Sequence, residues 1–197
     1  MTDDPERDSR SLPTANHTIA KQIIKEYPHA LLGLEQLTDI RERTKRRKRK
    51  RKQNGKGAER VSVKARKANR VYSQWSFAEL HALISYKAAL SGMLAIKVDA
   101  DYTSKACPMC GHTADANRPS RGLLFACQNS ECRYTLHADL IGARNVTMRT
   151  LLVRHDWIRT GILSMCPDAS DREAKAARLS RYAELRWSPE VTQASGF

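Results

Sequence analysis

No apolar stretch in these 197 residues approaches the roughly 20 needed to span a bilayer. The first ten residues mix Asp3, Asp4, Glu6 and Asp8 with Arg7 and Arg10, which is not the basic-then-apolar order of an export signal. These two absences predict a soluble, unexported protein of the cytoplasm. Acidic charge is also in short supply: 21 Asp plus Glu face 35 Lys plus Arg, for a formal net charge of +14. Such an imbalance is the electrostatic footprint of a polyanion partner, nucleic acid first, and it extends the predicted location to the nucleoid. Cysteine is scarce, at five residues. A reducing compartment does not sustain a disulfide framework, so these cysteines point to thiolate chemistry. No internal repeat is present. A hydrophobic content of 41% supports a modest core, either one ordinary domain or two small ones.

Along the chain, residues 1–14 hold almost no apolar side chain and read as a disordered lead-in. Ile19, Ile23 and Ile24 recur at helical spacing between Ala15 and Tyr27, and Pro28 ends that pattern. Ala30 to Glu35 is a short apolar run that fits a strand buried on both faces, with Glu35 at its C-terminal end. From Arg41 to Lys52, ten of twelve residues are basic, and like charge at that density repels itself too strongly to pack. It belongs to a loop over 41–60. Its ten positive charges less Glu42 account for nine of the +14, leaving a remainder of +5 that is still basic. A long helix is predicted over 64–90, from Leu80, Leu83, Ile84 and Ala88 on one face and a stop at Gly92. A second short strand over Met93 to Val98 leads through Asp99, Asp101, Tyr102, Thr103 and Ser104 into the cysteines. Residues 136–152 are helix-like, with Leu140, Ala143, Val146 and Leu151 at helical intervals, and 153–197 read as a helical tail with its helix at Arg172 to Trp187.

Cys107 and Cys110 are separated by two residues, and sixteen more lead to Cys127 and Cys132, which have four between them. Each short loop can turn both sulfurs to one centre, which suits tetrahedral zinc in a ribbon over 106–135. Gly111 lets the first turn approach the metal closely. Four thiolates close the coordination sphere and leave no position for water or substrate, so the predicted zinc is structural. With four thiolates available, His112 and His137 are not ligands. Cys166 stands apart and reads as a small residue without a role.

Around the cysteines the sequence resembles a known family. Tyr102 to His112, followed by Ala116-Asn117-Arg118-Pro119, Phe125-Ala126-Cys127 and His137-Ala138-Asp139-Leu140-Ile141-Gly142-Ala143-Arg144-Asn145, is similar in kind and order to the TnpB (OrfB) transposon proteins, relatives of the type V CRISPR effector nucleases. Upstream, Leu34-Glu35-Gln36-Leu37-Thr38-Asp39-Ile40-Arg41 resembles the strand that carries the second carboxylate of their split RuvC domain. The likeness covers roughly Ala15 to Thr150. It implies an α/β architecture, a partial RNase H-like (RuvC) fold over 15–105 and 136–152 with the four-cysteine ribbon inserted. It also implies a metal-dependent endonuclease in which three carboxylates hold two Mg²⁺ or Mn²⁺ ions about 4 Å apart. By match, Glu35 is the second carboxylate and Asp139 the third. Asp39, Asp99 and Asp101 read as turn or solvated residues.

The likeness stops short of the family's first catalytic Asp, which lies on an early strand. Asp3, Asp4 and Asp8 sit in the polar lead-in and do not take that role, and without its first strands the RuvC part is expected to be marginal by itself. The expectation is a truncated, transposition-associated remnant of an RNA-guided DNA endonuclease that binds DNA and guide RNA and is inactive alone. The phosphate contacts would fall to Lys45, Arg46, Arg47, Lys48, Arg49, Lys50, Arg51 and Lys52. Two alternatives stay open: a non-enzymatic zinc-ribbon module that binds DNA or RNA and modulates a full-length relative, and one half of a split nuclease completed by an upstream-encoded fragment. The second cysteine pair also departs from the commoner two-residue spacing, with Arg133 where a Gly often follows.

Overall fold

The computed structural model of the protein describes residues 5–37, 49–51, 58–60, 77–119, 122–164, 166–168 and 170–188, and its contacts divide the chain into two units. One unit is Met1–Pro28 with Leu37–Met93; the other is His29–Gln36 with Leu94–Phe197. Among the described residues no helix is long and apolar enough to cross a membrane.

The first unit is built on two helices, α1 (Pro5–Glu26) and α2 (Phe77–Leu90). Asn16 and Ala20 are buried on α1 and Ile84 and Ala88 on α2, each pair one helical turn apart and so on one face. The Asn16 amide donates to Glu79 Oε2 at 3.0 Å, which satisfies a polar group within that seam. At its end α2 closes with Met93 N–H on the Ala88 carbonyl and Gly92 N–H on that of Ala89, with Gly92 at φ 69°. This is a Schellman turn, which needs the left-handed residue that glycine adopts without strain. α1 starts at Pro5, ahead of the helix expected from Ala15. The predicted loop over 41–60 contains a short antiparallel pair, β2 (Arg49–Arg51) and β3 (Ala58–Arg60). Of the basic run, Lys45 to Lys48 and Lys52 lie outside the described residues, as do Asp39 and residues 64–76 of the predicted long helix.

The second unit holds the parallel pair β1 (Leu32–Gln36) and β4 (Ala95–Asp99), in register from Leu32 opposite Ala95 to Gln36 opposite Asp99. Then come the hairpin β5 (Leu124–Ala126) and β6 (Thr135–His137), the helix α3 (Ala138–Thr160), and α4 (Arg172–Glu184). Ile96 and Val98 point inward on β4 while Lys97 between them is exposed, the period-two pattern of a strand covered on one face. They meet Val153 of α3, with Leu31, Leu94 and Val146 packed around them. A second cluster gathers Cys107, Phe125, Cys127 and Ile141.

Gly33 sets how closely α3 lies on β1. A methyl group there would strike Thr150 Oγ1 and come within 3.1 Å of Val146 Cγ1. β1 is half-buried along its length rather than buried on both faces; α3 packs against it at Gly33, and among the described residues β4 is its only sheet partner. α3 continues past Leu152 to Thr160: Val153 still faces the core, and the break comes at Gly161, at φ 71°, whose N–H caps the Trp157 carbonyl. α4 opens on Asp171, whose side chain accepts from Ala174 N–H at 2.9 Å, and ends at Glu184 rather than Trp187.

Candidate metal centre and carboxylate edge

The two cysteine pairs are presented by turns of one shape. In the first, Gly111 N–H reaches the Cys107 carbonyl at 2.8 Å, with Gly111 at φ 78°. In the second, Arg133 N–H reaches the Asn129 carbonyl at 3.0 Å, with Arg133 at φ 48°. The residue after the second cysteine is therefore left-handed in both. The longer Cys127–Cys132 spacing is taken up before Asn129 and leaves the turn itself unchanged.

The four sulfurs converge. Cys107 Sγ lies 3.8 Å from Cys132 Sγ and Cys110 Sγ 3.6 Å from Cys127 Sγ, with all four inside 4.8 Å of one another. A tetrahedron with metal–sulfur bonds of about 2.3 Å requires sulfurs about 3.8 Å apart, so the cluster can hold a metal ion such as zinc. The crowded thiols differ in acidity. Burial pushes Cys107 up to about 12. Burial also opposes ionisation of Cys110, but the backbone N–H of His112 and the neighbouring sulfurs outweigh it and hold that thiol down to about 7. A divalent cation at the centre would resolve this conflict by stabilising all four thiolates at once. Cys166 is separate, its thiol against the Lys97 carbonyl at 3.4 Å and raised to about 11 by burial.

Asn117 ties the ribbon together. Fully buried, it donates to the Lys105 carbonyl at 2.8 Å and the His112 carbonyl at 3.0 Å, and accepts from Gln128 N–H at 2.9 Å. The approach to the ribbon, the exit of the first knuckle and the start of the second thus meet on one amide.

The C-terminal edge of the β1–β4 pair is acidic. Glu35 on β1 accepts from Thr103 Oγ1 at 2.7 Å. Asp99, read from sequence as a turn or solvated residue, is instead buried at the end of β4: Tyr182 of α4 donates to its Oδ2 at 2.8 Å and Arg178 lies 3.9 Å away. Asp101 pairs with Lys175 at 3.0 Å. Arg149 of α3 is also buried; it donates to the Asp99 carbonyl and lies over the Tyr182 ring at 4.3 Å. Burial lowers the Arg149 pKa, while Tyr182, Asp99, Glu35 and Asp101 work the other way. Burial likewise pushes the Tyr182 phenol up. One signal could have found Asp99: it directly follows the predicted strand Met93 to Val98, and ligands of α/β sheets gather beyond the C-terminal ends of parallel strands. Arg149, Arg178 and Tyr182 carried no local signal.

Asp139 lies in the first turn of α3 with an exposed side chain, its N–H on His137 Nδ1 at 3.3 Å and its Oδ2 3.7 Å from the same nitrogen. Helical geometry puts it on the face of Val146, two turns further on, which is the residue that approaches Gly33. Gly33 and Glu35 alternate to the same side of β1. One turn of polar contacts also joins α3 to Glu35: Asn145, buried, donates to the Thr103 carbonyl at 2.7 Å and the Ala106 carbonyl at 2.9 Å.

Comparison with known proteins gives a consistent set of relatives. The family model described as Cas12f1-like, TNB domain, matches residues 77–146. The CRISPR-associated endodeoxyribonuclease Cas12f1 of Sulfoacidibacillus thermotolerans is 35% identical over 80 residues, 41% of this chain and 18% of that protein. A TnpB-like protein of Methanocaldococcus jannaschii is 29% identical over 143 residues, 71% of this chain and 43% of its own length. InsQ of Escherichia coli K12, assigned as an RNA-guided DNA endonuclease, is 32% identical over 131 residues, 66% of this chain and 30% of InsQ. The chain thus spans less than half the length of each of these relatives.

Proposed function

The chain belongs to the TnpB family, and from that premise we propose that it is a nucleic-acid-binding protein built on part of a RuvC-like nuclease fold, with one structural zinc. Cys107, Cys110, Cys127 and Cys132 hold the zinc. Glu35 and Asp139 are carboxylates of a second site, for Mg²⁺ or Mn²⁺, and hard oxygen ligands at a strand end and a helix start are what such ions take. The ions would supply a polarised water and charge stabilisation at a phosphodiester. The chain's own part is to hold one acid at the end of β1 and one at the start of α3, and to keep a basic surface near a polyanion.

The observation that supports this reading is the close crossing of α3 over β1 at Gly33, with Asn145 and Thr103 bridging the helix to Glu35. The partners are DNA and a guide RNA, in keeping with relatives named for RNA-guided and DNA-cutting activity. The basic residues Lys45 to Lys52 neutralise phosphates without reading bases. Two metals need three converging carboxylates, and Glu35 and Asp139 are two, so these 197 residues by themselves bind but cleave poorly.

Binding and cleavage assays test both halves. Affinity for DNA and RNA should fall steeply with salt, and replacing Lys45 to Lys52 by Gln should flatten that dependence by roughly 0.9 in log–log slope for each phosphate no longer neutralised. Salt-insensitive or absent binding defeats the reading. Vigorous Mg²⁺-dependent cleavage that disappears in Glu35→Ala would keep the metal site and overturn the claim of weak cleavage.

A further inference from the structure

We infer that Thr103 is a positioning residue for Glu35, fixing one carboxylate oxygen so that the other is presented to a divalent cation; this rests on the reading of Glu35 as a metal ligand. The Thr103 side chain is buried, and its single hydroxyl proton has two acceptors within reach, Glu35 Oε1 at 2.7 Å and the Ala100 carbonyl at 3.2 Å. The shorter, charge-assisted bond goes to the carboxylate. Among the described residues, Thr103 is the one group that hydrogen-bonds the Glu35 side chain.

A hydroxyl can orient a carboxylate only if its own backbone is held, and here it is. Asn145 of α3 spends both amide protons on the carbonyls of Thr103 and Ala106, at 2.7 and 2.9 Å. Thr103 N–H adds a turn contact to Ala100. Ala106 directly precedes the ligand Cys107, so the turn that aims the hydroxyl at Glu35 is the same turn that delivers the first thiolate to the metal cluster. None of these backbone contacts needs the hydroxyl. Removing it should therefore disturb Glu35 and leave the turn and the ribbon standing.

The experiment uses the full 197-residue chain loaded with zinc, and Mn²⁺ as the probe, followed by electron paramagnetic resonance titration. Glu35→Gln tests the site itself, and Thr103→Val and Thr103→Ser test the hydroxyl. The expected result is that Glu35→Gln loses Mn²⁺ binding, Thr103→Val weakens it about tenfold with zinc content unchanged, and Thr103→Ser stays within about twofold of the parent. If Thr103→Val loses zinc and so has not folded, Thr103→Ala takes its place and must show the same tenfold loss. Mn²⁺ binding lost in Glu35→Gln but unchanged in the folded Val or Ala variant overturns the role of Thr103 alone. Mn²⁺ binding unchanged in Glu35→Gln, or absent from the parent, overturns the reading of Glu35 and this inference with it.

Discussion

Asn117 satisfies three backbone groups from three segments with one short side chain, and it is buried while doing so. Each buried hydrogen bond contributes about 1 kcal/mol net, and three are lost together. Asn117→Ala should therefore lower the stability of the zinc-loaded protein by about 3 kcal/mol, read from urea denaturation with the denaturant slope unchanged. Asn117→Asp should be no better, since it keeps the acceptor for Gln128 N–H but sets a carboxylate oxygen against the Lys105 and His112 carbonyls. A loss below about 1 kcal/mol in both variants would show that the amide network is not what joins these segments. Sequence put Asn117 within a motif without giving its task. The cysteines were more legible, because ligation is decided inside short loops whose spacing is printed in the chain.

At the scale of elements, α4 carries more than a tail would. Arg181 grips Asp156 of α3 through both guanidinium nitrogens, at 2.7 and 3.0 Å, and Tyr182, Arg178 and Lys175 of the same helix face Asp99 and Asp101. That role was not legible, since Tyr182 and Asp99 are 83 residues apart and neither shows a local pattern. β1, β4 and the apolar faces of α1, α2 and α3 were legible from sequence pattern, while β2, β3, β5 and β6 were not, and helix ends followed capping groups such as Gly161 and Asp171 rather than the last apolar residue. The clasp has a pH signature. Hydrogen bonds from Arg181 hold the Asp156 carboxyl below the ordinary carboxylate range. A carboxyl with a depressed folded pKa stabilises fully above its unfolded value, about 3.9, and loses that contribution as pH falls through the folded pKa. Arg181 is half-exposed, so solvent screening limits the pair to about 0.5 kcal/mol. Asp156→Asn should lower the urea midpoint slightly at pH 5 to 7, and the gap to the parent should close below about pH 4. A gap that widened in acid would contradict the assigned direction.

At the scale of the molecule, the metal cluster reaches beyond its own loops. Cys107 and Cys127 form one of the buried clusters of their unit with Phe125 and Ile141, so a metal held there would join packing to ligation. The first knuckle is also where the chain after α4 is anchored: Trp187 N–H binds the Pro108 carbonyl at 2.8 Å, and a methyl group on Gly111 would collide with the Ala183 carbonyl. A structural zinc bound by four thiolates contributes folding free energy directly. Stripping it with a strong chelator should therefore abolish hydrogen-exchange protection in two places at once, the ribbon amides such as Gly111 and Cys127, and the turn and helix amides of α4 such as Leu185 and Lys175. The α1–α2 pair belongs to the other unit and has its own seam at Ala20, Ile84 and Ala88, so Ser91 and Met93 should stay protected. If α4 kept its protection after the metal had gone, the contacts at Pro108 and Gly111 would be incidental. Seating of α4 over Asp99 and Asp101 would then be independent of the cysteines.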